Sequence, residues 1–113
     1  MSKVYLNDTF INNKPIIQSN DRGFLLSDGI FETILAINNK LCFYIQHVER
    51  LFKSAKLIDI KFEMSPEKLL SICQELLTLN ALDSTSASIR ITLTRGCSQR
   101  GISTVPNATP TLL

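Results

Sequence analysis

The sequence has few of the residues that build metal centres and disulfide frameworks. It contains 3 cysteines and 1 histidine in 113 residues. An odd number of widely spaced cysteines without a C-x-x-C pair argues against a disulfide framework and against a zinc site. The single histidine, His47, leaves too few ligands for a multi-histidine metal site and only one base for a serine-type triad. We therefore expect no metal ligands and no triad.

Long apolar runs and an excess of one charge are also missing. No apolar stretch approaches the roughly 20 residues that a membrane-spanning helix needs, and the N-terminus turns polar before a signal peptide could form. Lys plus Arg number 12 and Asp plus Glu 10, so the net charge is only +2. This balance does not favour a nucleic-acid or membrane-surface protein. We expect a single cytoplasmic domain that binds neither nucleic acid nor a membrane.

Alternating apolar residues predict two hairpins in the first part of the chain. Residues 4–6 and 9–11 form short β-rich runs on either side of a polar turn. Residues 31–37 and 40–44 flank Asn38-Asn39, a pair that tolerates the positive φ of a tight turn. Both hairpins are expected to be antiparallel.

Apolar residues at helical spacing predict two helices in the middle of the chain. The first begins at Gln46, where the alternation of the preceding strand gives way to a period of three to four residues. The second begins with Ser65 as the N-cap and Pro66 at the first helical position. An apolar stripe over residues 69–77 should pack this second helix on the sheet.

A third strand and a short final segment complete the prediction. In residues 88–94, Ile89, Ile91 and Leu93 share one face, and polar residues take the other. The order of hairpins, helices and strand predicts an α+β fold with a mostly antiparallel sheet and two main helices. Because the chain stops as an apolar strand begins in residues 109–113, we expect more protein downstream.

Three segments are hard to explain by packing alone. Residues 21–32 hold two glycines and several charges, which a connecting loop with Gly23 and Gly29 at special backbone angles would explain. Arg50 lies near the start of the first predicted helix, where it is either a solvated residue or an i,i+4 salt-bridge partner, or else an anion clamp. Residues 94–101 contain two Arg-Gly steps, which suit either a basic turn or an anion-binding loop.

Taken together, these segments resemble the N-terminal domain of the class IV aminotransferases, the fold-type-IV pyridoxal-phosphate enzymes. The resemblance covers the chain from about Tyr5 to Leu113. It implies that residues 1–113 are the smaller domain of a two-domain enzyme that forms a homodimer and acts on an amino-acid-like small molecule. The motifs that carry it are Asp21-Arg22-Gly23, Ser27-Asp28-Gly29-Ile30-Phe31-Glu32, His47-Val48-Glu49-Arg50-Leu51 with Ser54-Ala55, and Thr94-Arg95-Gly96 with Arg100.

The resemblance also implies roles for particular side chains. Arg50 matches the arginine that binds the phosphate of pyridoxal 5'-phosphate, Phe31 and Thr33 match residues that line the active site, and Arg100 matches an arginine that approaches the substrate carboxylate. The Schiff-base lysine of the family belongs to a second, C-terminal domain, so this chain should contain no catalytic residue and should be inactive alone. We expect no local lysine to replace it, because all lie in polar turns or on outward faces: Lys3, Lys14, Lys40, Lys53, Lys56, Lys61 and Lys68.

The choice of reaction within the family depends on two departures. Phe31 stands where D-amino acid aminotransferases have tyrosine, and Ile102 where that group has histidine. Both favour 4-amino-4-deoxychorismate lyase, which releases pyruvate and leaves 4-aminobenzoate for folate synthesis. A D-amino acid or branched-chain aminotransferase is the alternative. From another class, a non-catalytic α+β module that binds or oligomerises through its exposed sheet face also stays open.

Overall fold

A computed structural model describes residues 2–12, 14, 17–99, 101 and 108–113 of the chain. Within these ranges it contains six strands and three helices. In chain order they are β1 (Lys3–Leu6), β2 (Thr9–Asn12), α1 (Arg22–Leu26), β3 (Gly29–Ile37), β4 (Lys40–Leu41), α2 (Tyr44–Leu57), α3 (Pro66–Leu79), β5 (Ser86–Thr94) and β6 (Thr111–Leu112).

The strands form two antiparallel sheets. β1 pairs with β2, and a larger sheet has the order β4-β3-β5-β6. β3 and β5 are its centre, paired along nine residues from Gly29 opposite Thr94 to Ile37 opposite Ser86. Hairpins, two long helices and an antiparallel sheet confirm the predicted α+β fold.

The β3–β5 pair has one buried and one exposed face, because successive side chains of a strand point to opposite sides. Ile34 and Ala36 of β3 are fully buried, and Leu93 of β5 lies on the same side. α2 packs against this side and contributes Leu51 and Ala55 to the core. The opposite side of the sheet, which carries the odd-numbered residues of β3, stays exposed.

The start of α3 follows the prediction from sequence. The Ser65 hydroxyl accepts a hydrogen bond from the backbone N–H of Lys68 at 3.1 Å, and Pro66 takes the first helical position. Because Pro lacks an N–H that would be unpaired there anyway, it starts the helix without cost. The Tyr44 hydroxyl donates to the Pro66 carbonyl at 2.6 Å and ties the start of α2 to that of α3.

The second hairpin is shorter than predicted, and the first long helix begins earlier. The returning strand was expected over residues 40–44, but β4 ends at Leu41. Phe43 has a φ of 54°, in the left-handed region, which ends the extended conformation. Phe43 therefore acts as the N-cap of α2, and the helix starts at Tyr44 rather than at Gln46.

The connecting loop predicted before β3 contains a short helix, α1, capped by Asp21. The expectation that Gly23 and Gly29 adopt special backbone angles was wrong, since neither has a positive φ. Glycine is required at both positions because a side chain would not fit there. A Cβ on Gly29 would lie 2.7 Å from the backbone oxygen of Leu93, and one on Gly23 would collide with the side chain of Thr94. Their small size lets α1 and the start of β3 pack closely on β5.

Candidate functional site

Arg50, Glu32 and His47 form an ion cluster where α2 crosses β3. Glu32 lies on the buried side of β3 and its side chain is only 7% exposed. Arg50 donates to its two carboxylate oxygens, from Nε to Oε2 at 2.9 Å and from one terminal nitrogen to Oε1 at 2.7 Å. His47, one turn earlier on α2, is 2.6 Å from Oε1 through Nδ1. One carboxylate thus holds two basic side chains of the same helix.

The protonation states of this cluster follow from the contacts. The hydrogen bond from Arg50 holds the pKa of Glu32 below its ordinary value, against the opposing effect of burial, and His47 adds to the lowering. The same pairing raises the pKa of Arg50. Because an ionised carboxylate only accepts hydrogen bonds, Nδ1 of His47 must be the donor. In neutral His47 the proton is therefore on Nδ1, and Nε2 has the lone pair.

Arg50 lies farther inside its helix than the sequence suggested. Since α2 begins at Tyr44, Arg50 is in the second helical turn, where backbone N–H groups are already bonded within the helix. The backbone N–H groups beside Arg50 are therefore not free to bind an anion. Any anion at Arg50 must be bound by side chains of this chain, or by groups from elsewhere.

The Arg50 guanidinium has the properties that a phosphate ligand requires. Its side chain is 68% exposed although Nε and one terminal nitrogen are bonded to Glu32. Among the described residues, the second terminal nitrogen has no hydrogen-bond partner. An always-charged planar group with one edge fixed and the other open to solvent fits a dianionic phosphate.

Phe31 and Thr33 lie together on the exposed side of β3. Phe31 is 55% exposed, and Thr33 stands directly opposite Arg90 of β5. The Arg90 guanidinium lies 3.9 Å from the centre of the Phe31 ring, within the range of a cation–π contact. Arg90 was not among the predicted site residues. The alternation of β5 already placed it on the polar side, and only the register with β3 brings it to Phe31.

The two groups of predicted site residues are on opposite sides of one strand. Phe31 and Thr33 point to the exposed side, and Glu32 between them points to α2 and Arg50. β4 pairs only with Ala36 and Ile37. The Leu35 carbonyl also accepts from the backbone N–H of Cys42 at 2.8 Å, and no strand among the described residues pairs with residues 29–34 at this edge. Arg50 and Phe31 thus lie on either side of an open strand edge, where a bound molecule can contact both sides.

The remaining charged residues of the motifs form a structural cluster. Asp28 accepts from Arg22 at 2.7 Å and from Arg95 at 2.8 Å. The hydrogen bond from Arg95 is the main cause that lowers the pKa of Asp28 below its ordinary value. Both arginines are buried, so Arg95 cannot serve the anion-binding loop considered for residues 94–101. Arg100, the other arginine of that loop, lies outside the described residues, as does Ile102.

Asp21 anchors the same region from within. Its fully buried carboxylate accepts from the backbone N–H of Gly23 at 2.8 Å, from the Thr94 hydroxyl at 2.8 Å and from the Thr111 hydroxyl at 2.7 Å. A carboxylate can be buried at acceptable cost when several donors surround it. Asp21 therefore joins α1, β5 and β6.

Other kinds of site have no support in the described part of the chain. No three His, Cys, Asp or Glu residues there are close enough to hold a metal ion. No helix in the described ranges has the length and apolar character needed to cross a membrane.

Of the chain's lysines, Lys3 is half-buried and the others are exposed. None of these exposed amines has the desolvated surroundings that activate a Schiff-base lysine.

Comparison with known proteins shows the family of this chain. The model for Amino-transferase class IV matches residues 29–113. A D-alanine aminotransferase of Staphylococcus aureus strain N315 is 34% identical over 101 residues, which are 88% of this chain and 35% of that protein. The chain thus spans about a third of the length of such relatives.

Solved structures agree with the sequence comparison. A Legionella pneumophila protein assigned as a 4-amino-4-deoxychorismate lyase is 31% identical, with a TM-score of 0.73 over 80% of this chain and 33% of its own. The branched-chain amino acid aminotransferase of Escherichia coli matches 98% of this chain and 38% of its own with a TM-score of 0.88. Its identity is 18%, so this likeness concerns the fold alone.

Proposed function

Because this chain belongs to the class IV aminotransferases, whose members are pyridoxal-phosphate enzymes, we propose that it is the N-terminal domain of such an enzyme. Residues 1–113 would form the smaller domain, and the Schiff-base lysine would come from a second domain outside this chain. The chain's share of its relatives, about a third, supports this division. Family enzymes are typically homodimers that bind amino-acid substrates, and we propose the same assembly here.

The observation that carries the proposal is that only one edge of the Arg50 guanidinium is hydrogen-bonded within the described part of the chain. Glu32 occupies one edge of it, and the other edge is exposed beside the open edge of β3. We assign the phosphate of pyridoxal 5'-phosphate to this open edge. When bound, the cofactor withdraws electrons from the carbon that bears the substrate amino group. Arg50 would hold it by its phosphate, and Phe31 and Thr33 would line the space on the other side of the strand.

For the reaction we propose 4-amino-4-deoxychorismate cleavage, with release of pyruvate and 4-aminobenzoate. This substrate carries two carboxylates, so it requires more than one cation. Arg90 is exposed beside Phe31 and supplies one cation on the proposed substrate side. Arg100 is our second candidate, on the family resemblance. The 31% identity with the Legionella pneumophila protein supports the same reaction.

A D-amino acid aminotransferase is the second candidate, because the Staphylococcus aureus relative is 34% identical. An amino acid with one carboxylate needs one arginine, so Arg90 would then keep only its contacts with the Phe31 ring and the Thr92 hydroxyl. A branched-chain substrate would need an apolar pocket, for which Phe31 and Leu35 are available on the exposed side of β3. These substrate classes are distinguished by charge, and a single experiment compares them.

The experiment uses the complete protein, obtained by reading the gene past the codon for Leu113 and loading the product with pyridoxal 5'-phosphate. Formation of 4-aminobenzoate from 4-amino-4-deoxychorismate is compared with amino transfer from D-alanine and from leucine. We expect the first reaction to exceed the others in kcat/KM and to fall in Arg90→Gln. Amino transfer from D-alanine as the dominant reaction would overturn the lyase assignment and leave the family role intact.

The non-catalytic alternative gives a different result in the same experiment. A module that binds or oligomerises through its exposed sheet face would use Phe31, Leu35 and Ile37, each between 44% and 55% exposed. Such a protein would not retain pyridoxal 5'-phosphate, and Arg50→Ala would change nothing. Retention of the cofactor with its loss in Arg50→Ala would exclude this alternative.

A further inference from the structure

We propose that Glu32 is a positioning residue for anion binding, which acts by holding the Arg50 guanidinium in one orientation with its second terminal nitrogen directed to solvent. The proposal rests on the proposed role of Arg50 in binding the cofactor phosphate. It assigns a function to a carboxylate that is only 6% exposed and lies on the buried side of β3.

The geometry shows how Glu32 restrains Arg50. Two parallel hydrogen bonds, at 2.9 and 2.7 Å, join the Nε and terminal nitrogen of Arg50 to the two carboxylate oxygens. A bidentate pair of this kind fixes the plane of the guanidinium as well as its distance. His47 donates to Oε1 at 2.6 Å and fixes the carboxylate from the other direction. A side chain that is 68% exposed would otherwise be free to change rotamer.

A carboxylate near a phosphate site repels the phosphate, but here the guanidinium of Arg50 stands between the two charges. Arg50 lies between Glu32 and solvent, so an arriving anion meets the guanidinium first. His47 is a second basic group on the Glu32 carboxylate. Fixing Arg50 before the anion binds removes the entropy that an exposed arginine would otherwise lose on binding. We expect this gain in preorganisation to exceed the repulsion from Glu32.

A double-mutant cycle in cofactor affinity tests the proposal in the complete protein. The variants are Glu32→Gln, Arg50→Ala and the double variant, and the probe is pyridoxal 5'-phosphate titrated into the apo form by fluorescence. Glutamine has the shape of glutamate but presents an N–H group to Arg50, so the bidentate pair is lost. Glu49→Gln is the matched control, since Glu49 is exposed and precedes Arg50 on the same helix.

We expect Glu32→Gln to lower the cofactor affinity by about fivefold, which corresponds to the free energy of immobilising one long side chain. Glu49→Gln should leave the affinity unchanged. In the Arg50→Ala background the effect should reverse. There Glu32→Gln removes a negative charge that no longer orients a guanidinium, although His47 still contacts it, so it should strengthen binding. A reversal of sign cannot come from a general loss of structure.

The outcomes separate the two proposals. An equal loss from Glu32→Gln in both backgrounds would overturn the positioning role and indicate a merely structural carboxylate. Unchanged affinity in Arg50→Ala would instead overturn the phosphate role of Arg50 itself. Each variant is checked for native circular dichroism first. If Glu32→Gln does not fold, Glu32→Asp replaces it in the cycle. The shorter carboxylate keeps the charge but withdraws from Arg50, so it should weaken cofactor binding where Arg50 is present and leave it unchanged in the Arg50→Ala background.

Discussion

Arg95 and Asp28 form a two-point ion pair that joins three separate parts of the chain. Arg95 donates from Nε to one carboxylate oxygen of Asp28 at 2.8 Å and from a terminal nitrogen to the other at 3.2 Å. The same terminal nitrogen donates to the carbonyl of Ile58 at 2.7 Å. The end of β5 is thereby fixed to the residue before β3 and to the turn after α2. Arg22 approaches the same carboxylate from α1.

Asp28→Asn should destabilise the protein strongly. The substitution removes the counter-charge of the buried Arg95 guanidinium and one ion-pair partner of Arg22, and breaking a buried pair in this way costs about 3 kcal/mol or more. Urea unfolding followed by circular dichroism measures the change. Glu63→Gln, which removes an exposed carboxylate, is the matched control and should stay within about 0.5 kcal/mol. A loss in Asp28→Asn no greater than in this control would contradict the buried cluster.

Gly29→Ala should separate β3 from β5 at the end near the proposed site. The new Cβ would lie 2.7 Å from the Leu93 oxygen and 3.0 Å from the Thr94 Cα. Because both atoms belong to the backbone, neither can rotate away, and we expect a loss of about 1–3 kcal/mol of unfolding free energy. Ser88→Ala, on the exposed side of the same strand pair, is the control. Equal stability of the two variants would show that the close approach of the strands is not required.

Acid should weaken the fold through two carboxylates in particular. The pKa of Asp28 lies below its ordinary 3.8 and that of Glu32 below its ordinary 4.5 in the folded chain. The unfolded chain therefore takes up protons first as the pH falls, and stability that is complete above about pH 5 decreases below it. Unfolding free energies between pH 7 and pH 3 should show this decrease. The slope should be smaller in Glu32→Gln, and an unchanged slope would mean that Glu32 is not paired in the folded state.

Cofactor affinity should distinguish Arg50 from its basic neighbour on α2. In the complete protein we expect Arg50→Ala to weaken pyridoxal 5'-phosphate by about 30-fold or more, as truncation of one partner of a charge pair does. The cofactor affinity of Arg50→Lys should lie between those of the unchanged protein and Arg50→Ala, because lysine keeps the charge but loses the planar fork. Lys53→Ala should be nearly silent, since Lys53 is exposed and makes no ion pair with a described residue. Equal losses for Arg50→Ala and Lys53→Ala would indicate a general basic surface instead of a phosphate clamp.

The isolated chain should form no specific covalent adduct with pyridoxal 5'-phosphate. Its lysines are exposed except for the half-buried Lys3, whose amine donates to Asn12 at the surface. Amines in water stay protonated near neutral pH and are weak nucleophiles. Borohydride reduction followed by mass spectrometry should therefore find only scattered labelling. One stoichiometric adduct at a single lysine would show that a local residue replaces the lysine of the second domain.

Local sequence determined those elements whose cause is local. The alternation in β5 assigned Ile89, Ile91 and Leu93 to the buried side, because the period of a strand is two whatever its partners are. Ser65 and Pro66 determined the start of α3, because a cap acts within one helical turn. The order of the motifs was sufficient to indicate the family.

Tertiary structure decided which charged residues remain available for binding. Arg95 and Arg50 are the same residue type in equally polar motifs. Only the packing shows that Arg95 is buried in an ion pair with Asp28, while Arg50 keeps one edge of its guanidinium exposed. Glu32 and Arg50 are 18 residues apart, and Phe31 meets Arg90 only through the register of two strands. Such pairings depend on how α2 lies across β3 and on how β3 aligns with β5. Because contacts between distant segments set both, no local pattern in the sequence contains them.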